Sequence, residues 1–191
     1  MTVGAKAARR PRVDSQRNRE RLIEAAKLAF SDTGPGVSLE EIARRAGVGI
    51  GTFYRHFPSR DAIVEAVYRR EVEQLASAAD HLLASLTPGE ALRQWMRLFV
   101  DYIATKKVIL AAASIVGDKA ELYAASGARI ATAIGALVER AATAGDIRAD
   151  VEAKDLLRAL MGFIYGAPAD AWQASALRLI DLLMDGLRPQ R

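Results

Sequence analysis

The sequence predicts an all-α protein: an N-terminal three-helix helix-turn-helix domain, followed by a helical body of about six helices. Three observations lead to this prediction. Apolar residues recur at intervals of three and four along most of the chain, which is the spacing of one helix face. The period-two alternation of a half-buried strand is almost absent. Glycine and proline clusters divide the 191 residues into segments of helical length.

The first helix is predicted from about residue 15 to residue 32, with an apolar stripe that ends at Phe30. The Thr-Gly-Pro-Gly sequence at 33–36 ends this helix, because proline and closely spaced glycines do not continue one comfortably. Ser38 then begins a second helix, since Glu41 follows three residues later in capping-box spacing. Gly47 ends that helix at a turn where a positive φ is expected, and a third short helix follows.

The second and third helices each have one apolar face, which predicts that they pack together as a helix-turn-helix. Ile42 and Ala46 are four residues apart on the second helix, and Phe53 and Phe57 are four apart on the third. Such a unit places its second helix in the major groove of DNA.

The residues left near or on the outer side of this helix suit contacts with DNA. Its arginine can make a bidentate contact to guanine, and its isoleucine can meet a thymine methyl group. Its hydroxyl and imidazole groups can bind phosphate oxygens, and its two glycines allow close approach of the backbone. The candidate residues are Gly49, Ile50, Gly51, Thr52, Tyr54, Arg55 and His56.

The segment VSLEEIARRAGVGIGTFYRHFPSRDAIVEAV, residues 37–67, resembles the DNA-binding domain of the tetracycline-repressor (TetR) family of bacterial regulators. The resemblance extends over residues 17–70. It implies that Ser38, Thr52, Tyr54, His56 and Arg60 contact phosphates, and that Arg45, Ile50, Gly51 and Arg55 lie toward the bases. The segment LLRALMGFIYGAP, residues 156–168, resembles the SbtR-like subgroup of these regulators.

Charge is distributed unevenly along the chain. Residues 1–60 hold 12 Lys or Arg against 6 Asp or Glu, a net charge of +6, whereas the remaining residues have a net charge of −2. A basic N-terminal region joined to a nearly neutral body is typical of a protein that binds nucleic acid through its basic region. We therefore expect a basic arm at 1–14 that is disordered without DNA, a DNA-binding domain at 15–70, and a body at 71–191 for ligand binding and dimerisation.

Proline and capping signals divide the body into predicted helices. They begin near Ser59, Thr87, Lys106, Asp118, Asp150 and Asp170. The last two of these helices have more apolar surface than a terminal helix pair usually needs. Burial inside a monomer core is one explanation, and a two-fold dimer with a four-helix bundle, as the family resemblance implies, is the other. The candidate dimer residues are Leu156, Leu160, Ile164, Leu177, Ile180, Leu183 and Met184.

A group of aromatic and large apolar residues in the body is a candidate ligand pocket, because such side chains leave irregular space between them. A packed core stripe is the alternative. The candidate residues are Trp95, Met96, Phe99, Tyr102, Ile103, Tyr123 and Phe163. The family resemblance implies a pocket in the body without identifying its residues.

The function expected from these patterns is that of a homodimeric, ligand-responsive regulator, most simply a repressor, that binds a palindromic operator in double-stranded DNA and is released by an unknown small molecule. An architectural DNA-binding protein without a ligand is the alternative. An enzyme is not expected, because the chain has no cysteine, only two histidines and no phosphate-binding glycine loop that follows a strand. We expect no cofactor, no metal, no membrane span and a cytoplasmic protein.

Overall fold

The computed structural model describes residues 9–113, 120–166 and 171–189. These residues form helices joined by short turns and contain no β-strand. The predicted all-α fold, with a helix-turn-helix near the N-terminus and a helical domain after it, is confirmed. In chain order the helices are α1 (Arg9–Thr33), α2 (Leu39–Arg45), α3 (Ile50–His56), α4 (Arg60–Ser85), α5 (Pro88–Ala111), α6 (Ala120–Thr143), α7 (Ala153–Gly166) and α8 (Trp172–Gly186).

The chain divides into two compact units. The first unit comprises Met1–Arg69 and Thr105–Val116, and the second comprises Arg70–Ala104 and Gly117–Arg191. In the first unit α1 packs on α2, and α2 packs on α3. Their inward faces supply apolar core residues, as the spacing predicted: Leu22, Phe30, Ile42 and Phe53. Phe57 after α3 and Ile63 on α4 are buried as well.

Helix α1 begins earlier than predicted. It starts at Arg9, so α1 includes residues 9–14, which the sequence had assigned to the arm. Pro11 is compatible with this start, because the first turn of a helix has no intrahelical partner for the N–H that proline lacks. Residues 1–8 of the predicted arm lie outside the described residues.

Helix α5 is longer than predicted. A separate short helix was expected to begin at Lys106, but α5 continues through that position to Ala111. The start of α5 agrees with the predicted signal at Thr87, because the helix begins at Pro88 and the N–H of Ala91 donates to the carbonyl of Thr87 at 2.8 Å. The sequence did not show that a carboxylate from the loop after α6 also binds this end, where the N–H of Gly89 donates to Oδ2 of Asp146 at 2.7 Å.

The second unit has its own core, in which α6 packs on α7 and α7 packs on α8. Five of the seven predicted dimer residues belong to this core and are buried within the single chain: Leu156, Leu160, Ile164, Ile180 and Met184. Because these five already pack inside one chain, they leave little surface for a partner, and their place in a dimer interface stays a prediction. The other two, Leu177 and Leu183, are half-buried. Among the described residues, no helix is both long and apolar enough to cross a membrane.

Candidate nucleic-acid interface

The turn between α2 and α3 is closed by two backbone hydrogen bonds. The N–H of Val48 donates to the carbonyl of Ala43, and the N–H of Gly47 donates to the carbonyl of Arg44, both at 3.0 Å. This is the Schellman pattern, which needs a left-handed residue directly after the helix cap. Gly47 supplies it with a φ of +66°, as the sequence predicted. A methyl group at this position would lie 2.5 Å from Nη2 of Arg21, but that atom is the end of a flexible side chain that can move, so the backbone conformation is the reason for glycine here.

Ser38 caps α2 as predicted, because its Oγ accepts a hydrogen bond from the N–H of Glu41 at 3.1 Å. The Glu41 side chain does not complete a capping box and pairs with two arginines of its own helix. Arg44 donates to it through Nε at 2.7 Å and Nη2 at 2.8 Å, and Arg45 donates through Nε at 2.9 Å. Hydrogen bonds from Arg44 and then Arg45 hold the pKa of Glu41 at about 2.

Helix α3 is anchored by its two phenylalanines. Phe53 is fully buried and Phe57 is nearly so, with their ring centroids 5.9 Å apart. The opposite side of this short helix faces solvent, where Tyr54 is 48% exposed and Arg55 and Gly51 are exposed as well. Among the described residues, Arg55 has no ion-pair partner. The aromatic anchors therefore fix a helix whose other face presents an arginine, a phenol and bare backbone.

The other predicted residues of this region lie on α3 or directly before it. Gly49 caps α3 and is exposed, and Ile50, Thr52 and His56 are half-buried. A methyl group added at Gly49 or at Gly51 would meet no atom within 4 Å, so neither glycine is required by packing inside the chain. Their lack of a side chain leaves backbone open to a ligand from outside.

Arg45, which the family resemblance places toward the bases, is held by the protein itself. Its Nη1 lies 3.1 Å from Oδ2 of Asp32, its Nη2 donates to Oγ1 of Thr33 at 3.0 Å, and its Nε contacts Glu41. These contacts fasten α2 to the last turn of α1. A contact between Arg45 and a base would therefore require part of this arrangement to open.

Arg60, which the resemblance places on a phosphate, is also engaged within the chain. It is the first residue of α4, and its Nη1 donates to the backbone carbonyl of Pro35 at 3.1 Å. Its Nη2 donates to the carbonyl of Val37. Both acceptors belong to the loop that joins α1 to α2, so the arginine connects the start of α4 to that loop.

Two further arginines, both on α1, reach the helix-turn-helix and were not singled out in the sequence. The guanidinium carbon of Arg19 lies 5.2 Å from the ring centroid of Phe57, within the range of a cation–π contact. Arg21 lies against Gly47 in the turn. The net positive charge of residues 1–60 was the only sequence signal for these two arginines. The spacing of α1 does not show which of its basic side chains contact the helix-turn-helix.

Five of the seven predicted pocket residues are buried in the second unit: Trp95, Met96, Phe99, Tyr102 and Ile103. The rings of Trp95 and Phe99 stack with centroids 5.8 Å apart, and Nε1 of Trp95 donates to the carbonyl of Leu75 at 2.8 Å. The indole N–H is thus already satisfied inside the protein. Tyr123 is exposed and Phe163 is half-buried.

The clefts found among the described residues of the second unit lie elsewhere. One of about 430 Å³ lies between α4 and α6, where Arg129 forms an ion pair with Glu73 beside a lining of alanines. Another, of about 300 Å³, lies beside Leu83 and Arg140. None of the seven predicted pocket residues lines either cleft.

Comparison with known protein families gives two matches, which together cover most of the chain. Residues 22–67 match the model described as bacterial regulatory proteins, tetR family. Residues 87–189 match the model described as transcriptional regulator SbtR-like, C-terminal domain. The first match covers the helix-turn-helix, and the second covers more than half of the chain.

Two solved structures are similar over nearly the whole chain. The TetR transcriptional regulator SCO0520 from Streptomyces coelicolor is 43% identical, with a TM-score of 0.79 over 91% of this chain and 99% of its own. A TetR transcription regulatory protein from Mycobacterium vanbaalenii is 38% identical, with a TM-score of 0.77 over 93% of this chain and 99% of its own. The HTH-type transcriptional regulator SAUSA300_2515 of Staphylococcus aureus (strain USA300) is 35% identical over 63 residues, which span 32% of this chain and 34% of that protein.

Proposed function

This chain belongs to the TetR family of transcriptional regulators, and from that premise we propose that it is a homodimeric repressor that binds a palindromic operator and is released by a small molecule. It would act in the cytoplasm and without catalysis of its own. In each protomer α3 enters the major groove, while α2 and the turn approach the flanking phosphates. The two-fold symmetry of a dimer would match the two halves of the operator.

The observation that supports DNA binding most directly is the contrast between the two faces of α3. The buried face holds Phe53 and Phe57, and the outer face presents Tyr54, Arg55 and the open backbone of Gly51. Packing inside the chain does not require the glycine, and nearly half of the Tyr54 surface stays exposed although its ring meets Phe53 edge to face. Contacts with bases and phosphates account for both.

Dimerisation is supported by exposed apolar side chains on the last two helices. Tyr165 on α7 is 61% exposed and Leu182 on α8 is 67% exposed, while Met161 precedes Tyr165 by one helical turn and is exposed as well. Large apolar side chains grouped on adjacent helices mark protein–protein contacts. We therefore propose that the outer faces of α7 and α8, together with the half-buried Leu177 and Leu183, form the dimer interface.

A small-molecule effector would bind the second unit better in one conformation and so shift the population away from the one that fits the operator. The cleft of about 430 Å³ between α4 and α6 falls within the size range of ligand sites. The aromatic cluster around Trp95 is the second candidate and would have to open. Its close packing and its satisfied indole N–H favour the alternative, a ligand-independent DNA-binding protein.

Selection of bound duplexes from a random pool, at near-physiological salt and with the stoichiometry measured, tests the main proposal. A palindromic consensus bound by two or four chains is expected. Salt-sensitive binding without any consensus would instead indicate a protein that coats DNA. A melting-temperature screen of small molecules on the free protein then separates a ligand-responsive repressor from a ligand-independent one, because a guest that binds only the folded state raises the melting temperature.

The roles proposed for individual residues of α3 can be separated on the selected operator. Tyr54→Phe removes one hydroxyl and should weaken binding to all sequences alike if that hydroxyl binds a phosphate. Arg55→Ala should relax the preference at one base pair, with a discrimination loss of about 1–3 kcal/mol, if the arginine reads guanine. Equal losses on every sequence from both variants would show that Arg55 does not read a base.

A further inference from the structure

We propose that Arg60 is a positioning residue, which sets the helix-turn-helix for DNA by holding the loop between α1 and α2, rather than a phosphate contact. The proposal rests on the DNA-binding function proposed above, and it assigns to Arg60 a role different from the one that family resemblance implies.

The geometry begins with the two carbonyls that Arg60 binds. Pro35 and Val37 are two residues apart in the loop, and each carbonyl accepts a hydrogen bond from a different nitrogen of the same guanidinium. A planar fork of donors suits two fixed acceptors, whereas the ammonium of a lysine is a compact point charge. Arg60 is the first residue of α4, so the loop is tied to the start of that helix.

The loop carbonyls lie directly before the residue that starts α2. Val37 precedes Ser38, whose Oγ accepts from the N–H of Glu41 and whose carbonyl accepts from the N–H of Ile42. A shift of Val37 would therefore move the cap of α2, and with it the helix on which α3 packs. Fixing this carbonyl fixes where the helix-turn-helix begins.

A second arginine holds the other side of the same loop. Arg45 binds Asp32 and Thr33 at the end of α1, immediately before the loop starts. The loop is thus bracketed by guanidinium groups from α2 and from α4. The loop's own backbone contributes two hydrogen bonds, from the N–H of Gly34 to the carbonyl of Phe30 at 3.0 Å and from the N–H of Val37 to the carbonyl of Gly34 at 3.3 Å. Neither of them uses the carbonyls of Pro35 and Val37, which Arg60 binds.

The test compares Arg60→Lys and Arg60→Gln in the full-length protein, with Arg55→Gln as the control. Arg55→Gln removes an exposed cation of the same domain that has no contact with the loop. Amide hydrogen exchange at residues 37–42 is measured without DNA. Affinity for the selected operator is then measured across a salt series, which counts the phosphates that are neutralised.

A positioning role predicts that both Arg60 variants exchange about tenfold faster at residues 37–42 and bind the operator about tenfold more weakly, because each loses the pair of charged hydrogen bonds. In both Arg60 variants, the plot of the logarithm of the operator-binding constant against the logarithm of the salt concentration keeps the wild-type slope. In Arg55→Gln the exchange at residues 37–42 stays at the wild-type rate.

A phosphate role predicts a different pattern, which would overturn the proposal. Arg60→Lys would bind like the wild type, Arg60→Gln would lower the salt slope by about 0.9, and loop exchange would not change in either variant. If the wild-type protein bound no duplex, the proposed function would fail, and exchange in the free protein would still show whether Arg60 holds the loop.

Discussion

The close approach of α3 to DNA can be tested by adding a single methyl group at Gly51. Gly51 is the second residue of α3, it is exposed, and a Cβ there would meet no atom within 4 Å. It is also not among the glycines with positive φ, so alanine fits its backbone. Alanine should therefore stabilise the helix by about 0.5–1 kcal/mol relative to glycine. For a chain of this size, the melting temperature should rise by about 1–4 °C.

The same methyl group should weaken DNA binding if the backbone at Gly51 approaches a base edge. Displacing one good base contact costs about 1–3 kcal/mol, which corresponds to a loss in affinity of about fivefold to 150-fold. The variant is thus expected to be more stable and yet to bind the operator less tightly. Thermal unfolding and fluorescence anisotropy with a labelled operator measure the two effects separately.

Gly127→Ala is the matched control for Gly51→Ala. Gly127 lies within α6, is exposed, and likewise has no atom within 4 Å of an added Cβ. The Gly127→Ala variant should gain similar stability, and its affinity for the operator should not change. Wild-type affinity in Gly51→Ala would refute the close approach of α3, and a lower melting temperature would refute the reasoning from helix propensity.

Three further predictions follow from other contacts. Gly47→Ala should lower the free energy of unfolding by about 1–2 kcal/mol in urea titrations, because alanine is strained at positive φ; an unchanged midpoint would contradict this. Glu41 has its pKa lowered from 4.5 to about 2, so its carboxylate stabilises the fold above about pH 4.5 and that contribution is lost as the pH falls toward 2. Urea titrations should show the wild type and Glu41→Gln converging over this range, and a constant difference would exclude the linkage. Leu182→Glu should shift a dimer toward monomer in sedimentation, whereas Leu28→Glu, on an exposed leucine of α1, should not.

The parts of the site that sequence reasoning predicted depend on local signals. The turn between α2 and α3 requires a residue with positive φ, and the sequence has glycine there. The N-terminus of α2 requires a side-chain acceptor, which Ser38 provides. Phe53 and Phe57 are four residues apart, which predicted their shared burial. Each of these signals acts over three or four residues. A single sequence contains such information directly, which is why the bend between α2 and α3 was predicted correctly.

The parts that sequence reasoning did not predict depend on contacts between distant residues. The carbonyls that Arg60 binds lie 25 and 23 positions before it, and the carboxylate of Asp32 lies 13 positions before Arg45. No spacing rule connects such pairs. The family resemblance placed both arginines on DNA, and the contacts that engage each of them inside the chain were not predicted.

The assignment of dimer residues was incomplete for a related reason. An apolar stripe with helical spacing looks the same whether it packs on its own chain or on another copy. In α7 the regular stripe that contains Leu160 packs inside the chain, while Tyr165 lies exposed away from it. The residues that suggest a dimer interface are large apolar side chains outside the stripe. Only the packing of the single chain shows which face of each helix is already buried.

The position of the tryptophans gives the protein a built-in optical probe. Both of them, Trp95 and Trp172, belong to the second unit, and the first unit has none. The Trp95 indole is shielded from water, stacked on Phe99 and hydrogen-bonded to a carbonyl, so its ultraviolet emission reports on the packing around it. Any change in tryptophan fluorescence during an operator titration would therefore arise in the unit that does not contain the recognition helix, and it would provide a label-free signal of communication along the chain.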